Sequence, residues 1–279
     1  MLFQFWNQDI NRICKSSIVF EKRFYYLVKI QYLGYRFHGW QKQPQLKTLH
    51  HMIDRTLKYV LGETRFKTLG AGRTDAMVSA NEAAFELFVH ESPITDFEEF
   101  IKQFNLNLPQ DIKALSIKEV DKNFNVIQDS KIKEYHYVFS FGQKNHPFCA
   151  PIMTNIQEGL NINLMKQAAQ MFEGSHNFKA YCYKSNEDSI YHRTVDSSKM
   201  TINEDYKANF FPETSYVFKV RGKGFGRNQI RLMMGALIRV GNGELTPKHI
   251  QSSLETGELD KVNFIAPASG LILHSIAFE

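Results

Sequence analysis

The chain of 279 residues is 43% hydrophobic, 23% charged and 13% aromatic, with 34 Lys+Arg against 29 Asp+Glu. This composition excludes collagen-like, disordered and disulfide-dense chains, and the length fits one large or two mid-sized domains. The net charge of +5 leans towards a polyanionic partner without deciding it, while 23 Phe and 12 Tyr exceed what the core strictly needs.

Cys14, Cys149 and Cys182 are widely spaced and form no C-x-x-C pair. That argues against a disulfide framework or a structural zinc, and for a reducing compartment. Asp9, Asn11 and Arg12 interrupt the first apolar stretch before it reaches the length of a signal peptide. No run approaches the roughly 20 apolar residues that cross a bilayer. The expectation is a soluble, cytoplasmic protein with no membrane partner.

In chain order, residues 1–22 read as an N-terminal extension. A strand over 24–32 (FYYLVKIQY) follows, then a loop punctuated by Gly34 and Gly39. From Thr48, apolar Leu49, Met52, Ile53, Leu57, Val60 and Leu61 keep helical spacing up to Gly62, placed as a C-terminal cap. A Gly-rich loop over 69–80 (LGAGRTDAMVSA) leads to a strand at 83–89. A short helix over Asp96–Phe104 is ended by Asn107-Leu108-Pro109, and strands at 114–120 and 133–141 follow. The aperiodic, two-proline segment 142–151 marks a boundary between an N-terminal half, 23–145, and a C-terminal half, 146–279.

The second half reads as a helix over Leu164–Phe172 and strands near Arg193–Thr201 and Tyr216–Arg221. An amphipathic helix over Arg227–Val240 ends at Gly241, Pro247 opens a short helix, and a last strand spans 272–278. Strands separated by helices, twice over, predict an α+β fold. It would consist of two ferredoxin-like (RRM-like) halves sharing one mainly antiparallel sheet, with helices on one face and a central cleft.

The most informative loop is Gly70-Ala71-Gly72-Arg73-Thr74-Asp75-Ala76. Glycines let backbone approach a ligand, and a carboxylate two residues from a guanidinium is poised to stay ionised. Such an Asp can serve as nucleophile or general base, or merely cap a turn. No His/Glu metal spacing, G-x-S-x-G or Walker loop accompanies it, so the reading calls for no metal and no cofactor. A glycoside-hydrolase pairing of Asp75 with Glu82 or Glu86 is disfavoured, because Glu86 lies among buried strand residues.

Gly72-Arg73-Thr74-Asp75-Ala76 resembles the signature of the tRNA pseudouridine synthase A family, G-R-T-D-A/K-G-V-H/S-A. Gly34 with Phe37-His38-Gly39-Trp40-Gln41 is similar to its D-G-x-x-F-x-G-W-Q loop. Asn107-Leu108-Pro109-x-Asp111-Ile112 and Tyr135-His136-Tyr137 match N-x-L-P-x-D-I and Y-x-Y. In the second half, 174–178 resembles G-x-H-D-F and 193–195 resembles R-T-V. Residues 225–235 are similar to F-x-x-H-Q/M-I/V-R-x-M/I-V-G, and 266–271 to A-P-x-x-G-L. The motifs run in order from about residue 24 to 278. Met77 stands where the family has Gly, Ser79 takes the His/Ser position, Asn228 replaces a commoner His, and 124–127 ends in Ile127 rather than Arg.

The resemblance implies an isomerase that converts uridine to pseudouridine in tRNA, in the anticodon stem-loop at positions 38–40. It would need no cofactor, and the enzyme would work as a homodimer. It implies Asp75 as nucleophile, Arg231 as the cation that keeps Asp75 charged, and Tyr135 as base platform and proton-transfer group. Arg73 and Thr74 would meet the flipped nucleotide, which must leave its stack at a cost of a few kcal/mol. Leu271 and Ile272 would line the pocket. Arg36, His38, Lys42, Lys131, Lys133, Lys184, Arg193, Lys223 and Arg227 form a dispersed cationic set for tRNA phosphates. The alternative is a non-catalytic RNA-binding or RNA-chaperone relative with a relaxed site.

Overall fold

The computed structural model describes residues 22–183, 190–258 and 264–278. The N-terminal extension, Cys14 and Lys184 therefore lie outside the described residues, save for Lys22. Ten strands form one sheet: β1 (Arg23–Tyr32), β2 (Phe66–Gly70), β3 (Ser79–His90), β4 (Ile112–Glu119), β5 (Ile132–Phe141), β6 (Thr154–Ile156), β7 (Gly174–Asn177), β8 (His192–Ile202), β9 (Tyr216–Gly222) and β10 (Leu271–Ala277). The main path runs β4-β1-β3-β10-β5-β9-β8-β7, with β2 paired to β3 and β6 to β5. All pairs are antiparallel except β10 with β3 and β5 with β6. The α+β expectation with a mainly antiparallel sheet is borne out. The short strands β2, β6 and β7 were not legible, and β3 begins four residues earlier than the sequence pattern placed it.

Five helices accompany the sheet: α1 (Leu49–Leu61), α2 (Phe97–Asn107), α3 (Ile162–Gln170), α4 (Gln229–Gly241) and α5 (Pro247–Thr256). Their apolar residues and one face of the sheet make two cores. One gathers Tyr26, Val28, Ile30, Phe85 and Leu87 with Leu49, Ile53 and Leu57 of α1 and Phe100 and Phe104 of α2. The other gathers Tyr137, Phe139, Phe218 and Val220 with Met165, Phe172 and most of α4. β10 serves both: Leu271 belongs to the second core, Leu273 to the first, and Tyr135 of β5 packs against each. The opposite face of the sheet carries two smaller clusters, around Leu27, Ala84 and Val126 and around Val138, Cys149, Met153, Val217 and Ile272.

The helix in α4 departs from the amphipathic expectation. Every residue from Gln229 to Gly241 is buried except Arg231 and Arg239, so this is an internal helix with two cationic breaks in an apolar surface. Gly235 allows that depth, because a Cβ there would lie 2.0 Å from the Phe264 carbonyl oxygen. Among the described residues no helix is long and apolar enough to cross a membrane.

Candidate active site

The loop between β2 and β3 is fixed by the loop that follows β1. The Trp40 amide donates to the Thr74 carbonyl at 3.0 Å, the Met77 amide to the Phe37 carbonyl at 3.1 Å, and the Gly34 amide to Ser79 Oγ at 2.9 Å. Gly39 makes this approach possible: its φ is +83°, and a Cβ would sit 2.7 Å from the Thr74 carbonyl oxygen. Tyr32 OH and Thr74 Oγ1 are 3.0 Å apart, which holds the residue before Asp75 from below. Two motifs that are separate in sequence are thus one structural unit.

Met77 takes φ +68°. Met77 stands where the family has Gly, and its backbone adopts the left-handed conformation that Gly takes freely. That conformation costs a non-glycine residue about 1–2 kcal/mol, against about 0.5–1 kcal/mol of extra chain entropy lost by Gly. Met77→Gly is therefore expected to raise the melting temperature by about 1–3 °C, measured by thermal unfolding. A lower value would show that the half-buried Met side chain outweighs the strain.

Asp75 meets α4 across the cleft. Arg231 Nη1 donates to Asp75 Oδ2 at 3.2 Å, with side-chain exposures of 16% and 35%. The guanidinium is aimed by its other contacts: Nε donates to the Ala266 carbonyl at 2.8 Å and Nη1 reaches Asn228 Oδ1 at 3.4 Å. The Ala266 amide returns a bond to the Arg231 carbonyl at 3.1 Å. Asn228 caps the start of α4 at φ 57°, a left-handed conformation that Asn tolerates better than most residues. An arginine that sequence alone would leave on a solvated face is held by three neighbours and faces the Asp75 carboxylate.

Around this pair lies a cavity of about 620 Å³, lined among others by His38, Trp40, Arg73, Thr74, Asp75, Lys133, Tyr135, Phe225, Arg227 and Leu271. Asp75 is the one carboxylate among its described lining residues. Tyr135 stands edge-on to Phe225, ring centroids 5.4 Å apart, so an aromatic corner faces the carboxylate. Burial first, and the Asp75 charge second, push the Tyr135 hydroxyl up to about 12, which keeps it a neutral phenol at physiological pH. Lys133 donates to the Ala71 carbonyl at 3.0 Å, and burial holds its ammonium below the ordinary lysine value. The arrangement offers one carboxylate, a fixed guanidinium, a stacking surface and a cationic rim in a space that admits a nucleoside.

The model of a protein family described as tRNA pseudouridine synthase matches residues 168–279. A tRNA pseudouridine synthase A of Pseudothermotoga lettingae is 32% identical over 261 residues, covering 92% of this chain and 100% of its own. The Thermosipho melanesiensis tRNA pseudouridine synthase A is 34% identical over 259 residues, again 92% and 100%. The Bacillus thuringiensis tRNA pseudouridine synthase A 2 is 32% identical over 256 residues, 91% of this chain and 99% of its own. The chain belongs to the tRNA pseudouridine synthase A family. The resemblance read from its motifs is borne out, and membership makes it an isomerase that acts on tRNA.

Within this pseudouridine synthase the sequence-derived residues separate into two groups. Arg73, Thr74, Asp75, Lys133, Tyr135, His38, Arg227 and Leu271 line the cavity, with Arg231 directly behind Asp75. Arg36 does not line it; its guanidinium is held by Asp111 at 2.8 Å. Lys42 is paired with Asp54, and Arg227 lies over the Tyr183 ring at 5.5 Å. Ile272 faces away: strand alternation turns it to the opposite side of the sheet with Val138 and Met153, which corrects its placement in the pocket. Tyr137 is core, and its hydroxyl donates to the Pro267 carbonyl at 2.8 Å. Phe225 and Gln229 were not singled out beforehand, although both stand inside a motif string that was.

Proposed function

We propose that this pseudouridine synthase isomerises uridine in the anticodon stem-loop of tRNA, at positions 38–40, with Asp75 as the nucleophile. The observation that carries the reading is the 3.2 Å contact between the Asp75 carboxylate and the Arg231 guanidinium at the floor of the cavity. A carboxylate must stay ionised in a site that receives RNA phosphates, and an adjacent permanent cation favours its charged form. The N1–C1′ bond of uridine breaks, the uracil turns, and C5 bonds to C1′; the proton leaving C5 ends on N1, so atoms and electrons balance within the substrate.

The substrate base has to leave its stack to reach Asp75. Tyr135 and Phe225 supply the surface that receives it, worth about 1–3 kcal/mol per stacked base. Because Tyr135 remains protonated well above neutrality, it acts as a hydrogen-bonding phenol and proton relay rather than as a phenolate base. Arg73, exposed at the cavity mouth beside Thr74, occupies the gap left by the flipped nucleotide and meets its backbone. Lys133, Arg227 and His38 supply charge for neighbouring phosphates, which confers affinity without reading sequence. We place the enzyme in the cytoplasm as a homodimer, because a net charge of +5 spread over one chain is small for a folded tRNA unless two chains share it.

The test is incubation with unmodified tRNA transcripts and mapping of pseudouridine by carbodiimide-dependent reverse-transcription stops. Stops at positions 38–40 are expected. Stops elsewhere in the tRNA would overturn the site assignment, and binding without any product would leave a non-catalytic RNA-binding relative.

A dependence on pH follows from Lys133. Its depressed value means that it loses charge earlier than an ordinary lysine as pH rises towards 10.5, whereas Tyr135 stays neutral over that range. KM for tRNA is expected to rise on the alkaline side with kcat unchanged, and Lys133→Arg, which keeps its charge, removes the rise. A fall in kcat instead would point to a group that titrates within the reaction itself.

A further inference from the structure

The strands that carry the site have a second face. Along β5 Tyr135 turns into the cavity, so Glu134 and His136 turn to the opposite side of the sheet. β10 is antiparallel to β5, and its register slips between Leu273 and Ser275, leaving His274 as an extra residue. Such a bulge re-aims the side chain it carries. Here it lays the His274 ring flat against His136, with centroids 3.9 Å apart and planes 10° from parallel. His136 Nε2 is 2.9 Å from Glu134 Oε1, and one ligand atom from each of the three side chains lies within 4.8 Å of the other two.

We propose that Glu134, His136 and His274 bind one divalent transition-metal ion, with zinc the best fit, on the sheet face opposite the catalytic cavity. Two imidazoles and one carboxylate are a ligand set that zinc uses with a water in the fourth position, and imidazole selects against magnesium and calcium. Zinc bonds of about 2.0–2.1 Å place ligand atoms about 3.3 Å apart in a tetrahedron, so the stacked imidazoles must turn out of parallel for both nitrogen lone pairs to meet one ion.

The surroundings supply the outer contacts that orient metal-bound histidines. His136 Nδ1 is 3.0 Å from the Tyr206 hydroxyl. His274 Nδ1 is 3.3 Å from the Asn81 amide and 3.4 Å from the same hydroxyl. On binding, His136 carries its proton on Nδ1 and gives it to the Tyr206 oxygen, leaving Nε2 for the ion; His274 does the same once the Asn81 amide, whose nitrogen faces Nδ1, turns its oxygen to the ring. Asp205 is taken by Lys219 at 2.7 Å, so Glu134 supplies the negative charge. Its side chain is 29% exposed against 1% for His136, which opens an entry path from its side. The linear sequence does not display this site because two ligands are adjacent positions of one strand face and the third arrives through a bulge in a distant strand. An ion here would tie β5 to β10, so its effect is on stability rather than on the reaction.

The test uses the full chain freed of metal by chelation, titrated with Zn²⁺ by calorimetry and with Co²⁺ by visible absorption. Expected are one ion per chain, the intense visible bands of tetrahedral cobalt without a thiolate charge-transfer band, and a melting temperature that rises with Zn²⁺. Glu134→Gln and His274→Gln, both at partly exposed side chains, should each weaken binding at least about tenfold. His136→Gln is a third variant, but His136 is buried and its loss can disturb folding. No stoichiometric binding tighter than about 100 µM in wild type, or equal affinity in the Glu134 and His274 variants, overturns the proposal and leaves the cluster a hydrogen-bonded network.

Discussion

Asp75→Asn should abolish pseudouridine formation, lowering the single-turnover rate by at least about 10³-fold, while tRNA binding stays within about threefold of wild type. Asn has the shape of Asp and still accepts from Arg231, so the loop between β2 and β3 should keep its bonds to Trp40 and Phe37. What disappears is the charged, nucleophilic oxygen. The pair is partly solvated, with Asp75 35% exposed, so its loss should cost folding no more than about 1 kcal/mol. Filter binding, thermal unfolding and product mapping on the same preparation separate these effects. A variant that keeps more than about a tenth of wild-type rate with native binding would remove Asp75 from the chemistry.

Arg231→Gln should produce a compound defect. The side chain joins three elements: it donates to Asp75 in the loop before β3, to Ala266 ahead of β10, and to Asn228 at the start of α4. It is only 16% exposed, so its removal leaves the Ala266 carbonyl and the Asp75 carboxylate short of a donor. A buried group left unsatisfied costs about 1–3 kcal/mol, and loss of a preorganised charge beside the reacting centre costs about 10²–10³-fold in kcat. Both a lower melting temperature and a larger loss in kcat than in tRNA affinity are expected. Arg231→Lys restores charge without the fork that reaches Asp75 and Ala266 together, so it should recover stability partly and rate poorly. Full activity in the Gln variant would remove Arg231 from the chemistry.

Local features of this chain were legible where one period ran long enough. The spacing of Leu49, Ile53 and Leu57 gave α1, and Gly62, at φ 60°, ends it as placed. The alternation in 133–141 gave β5, with Tyr135 and Tyr137 on one face. β2, β6 and β7 have only three to five residues each, too few for a period to show, and β2 merges with the glycine-rich stretch after it. Ile272 was misplaced because standing next to the 266–271 motif gives a neighbourhood and not a face. The Asp75–Arg231 contact joins residues far apart in sequence that no spacing rule connects; only the ordered motifs brought them together. Met77 shows the limit of local propensity: two backbone bonds to the neighbouring loop outweigh a preference of about 1 kcal/mol.

β10 sits between β3 and β5, and among the described residues it is the last strand in chain order. Without it the sheet falls into two parts, β3 with β1 and β2, and β5 with β9 and β6, each with part of an edge open, and the cavity has no wall at Leu271. The cavity is therefore complete only when this seven-residue strand joins the two parts of the sheet. Two open edges in one chain are also a route to pairing with other copies. Deleting Leu271–Ala277 should therefore yield aggregation rather than a weak enzyme.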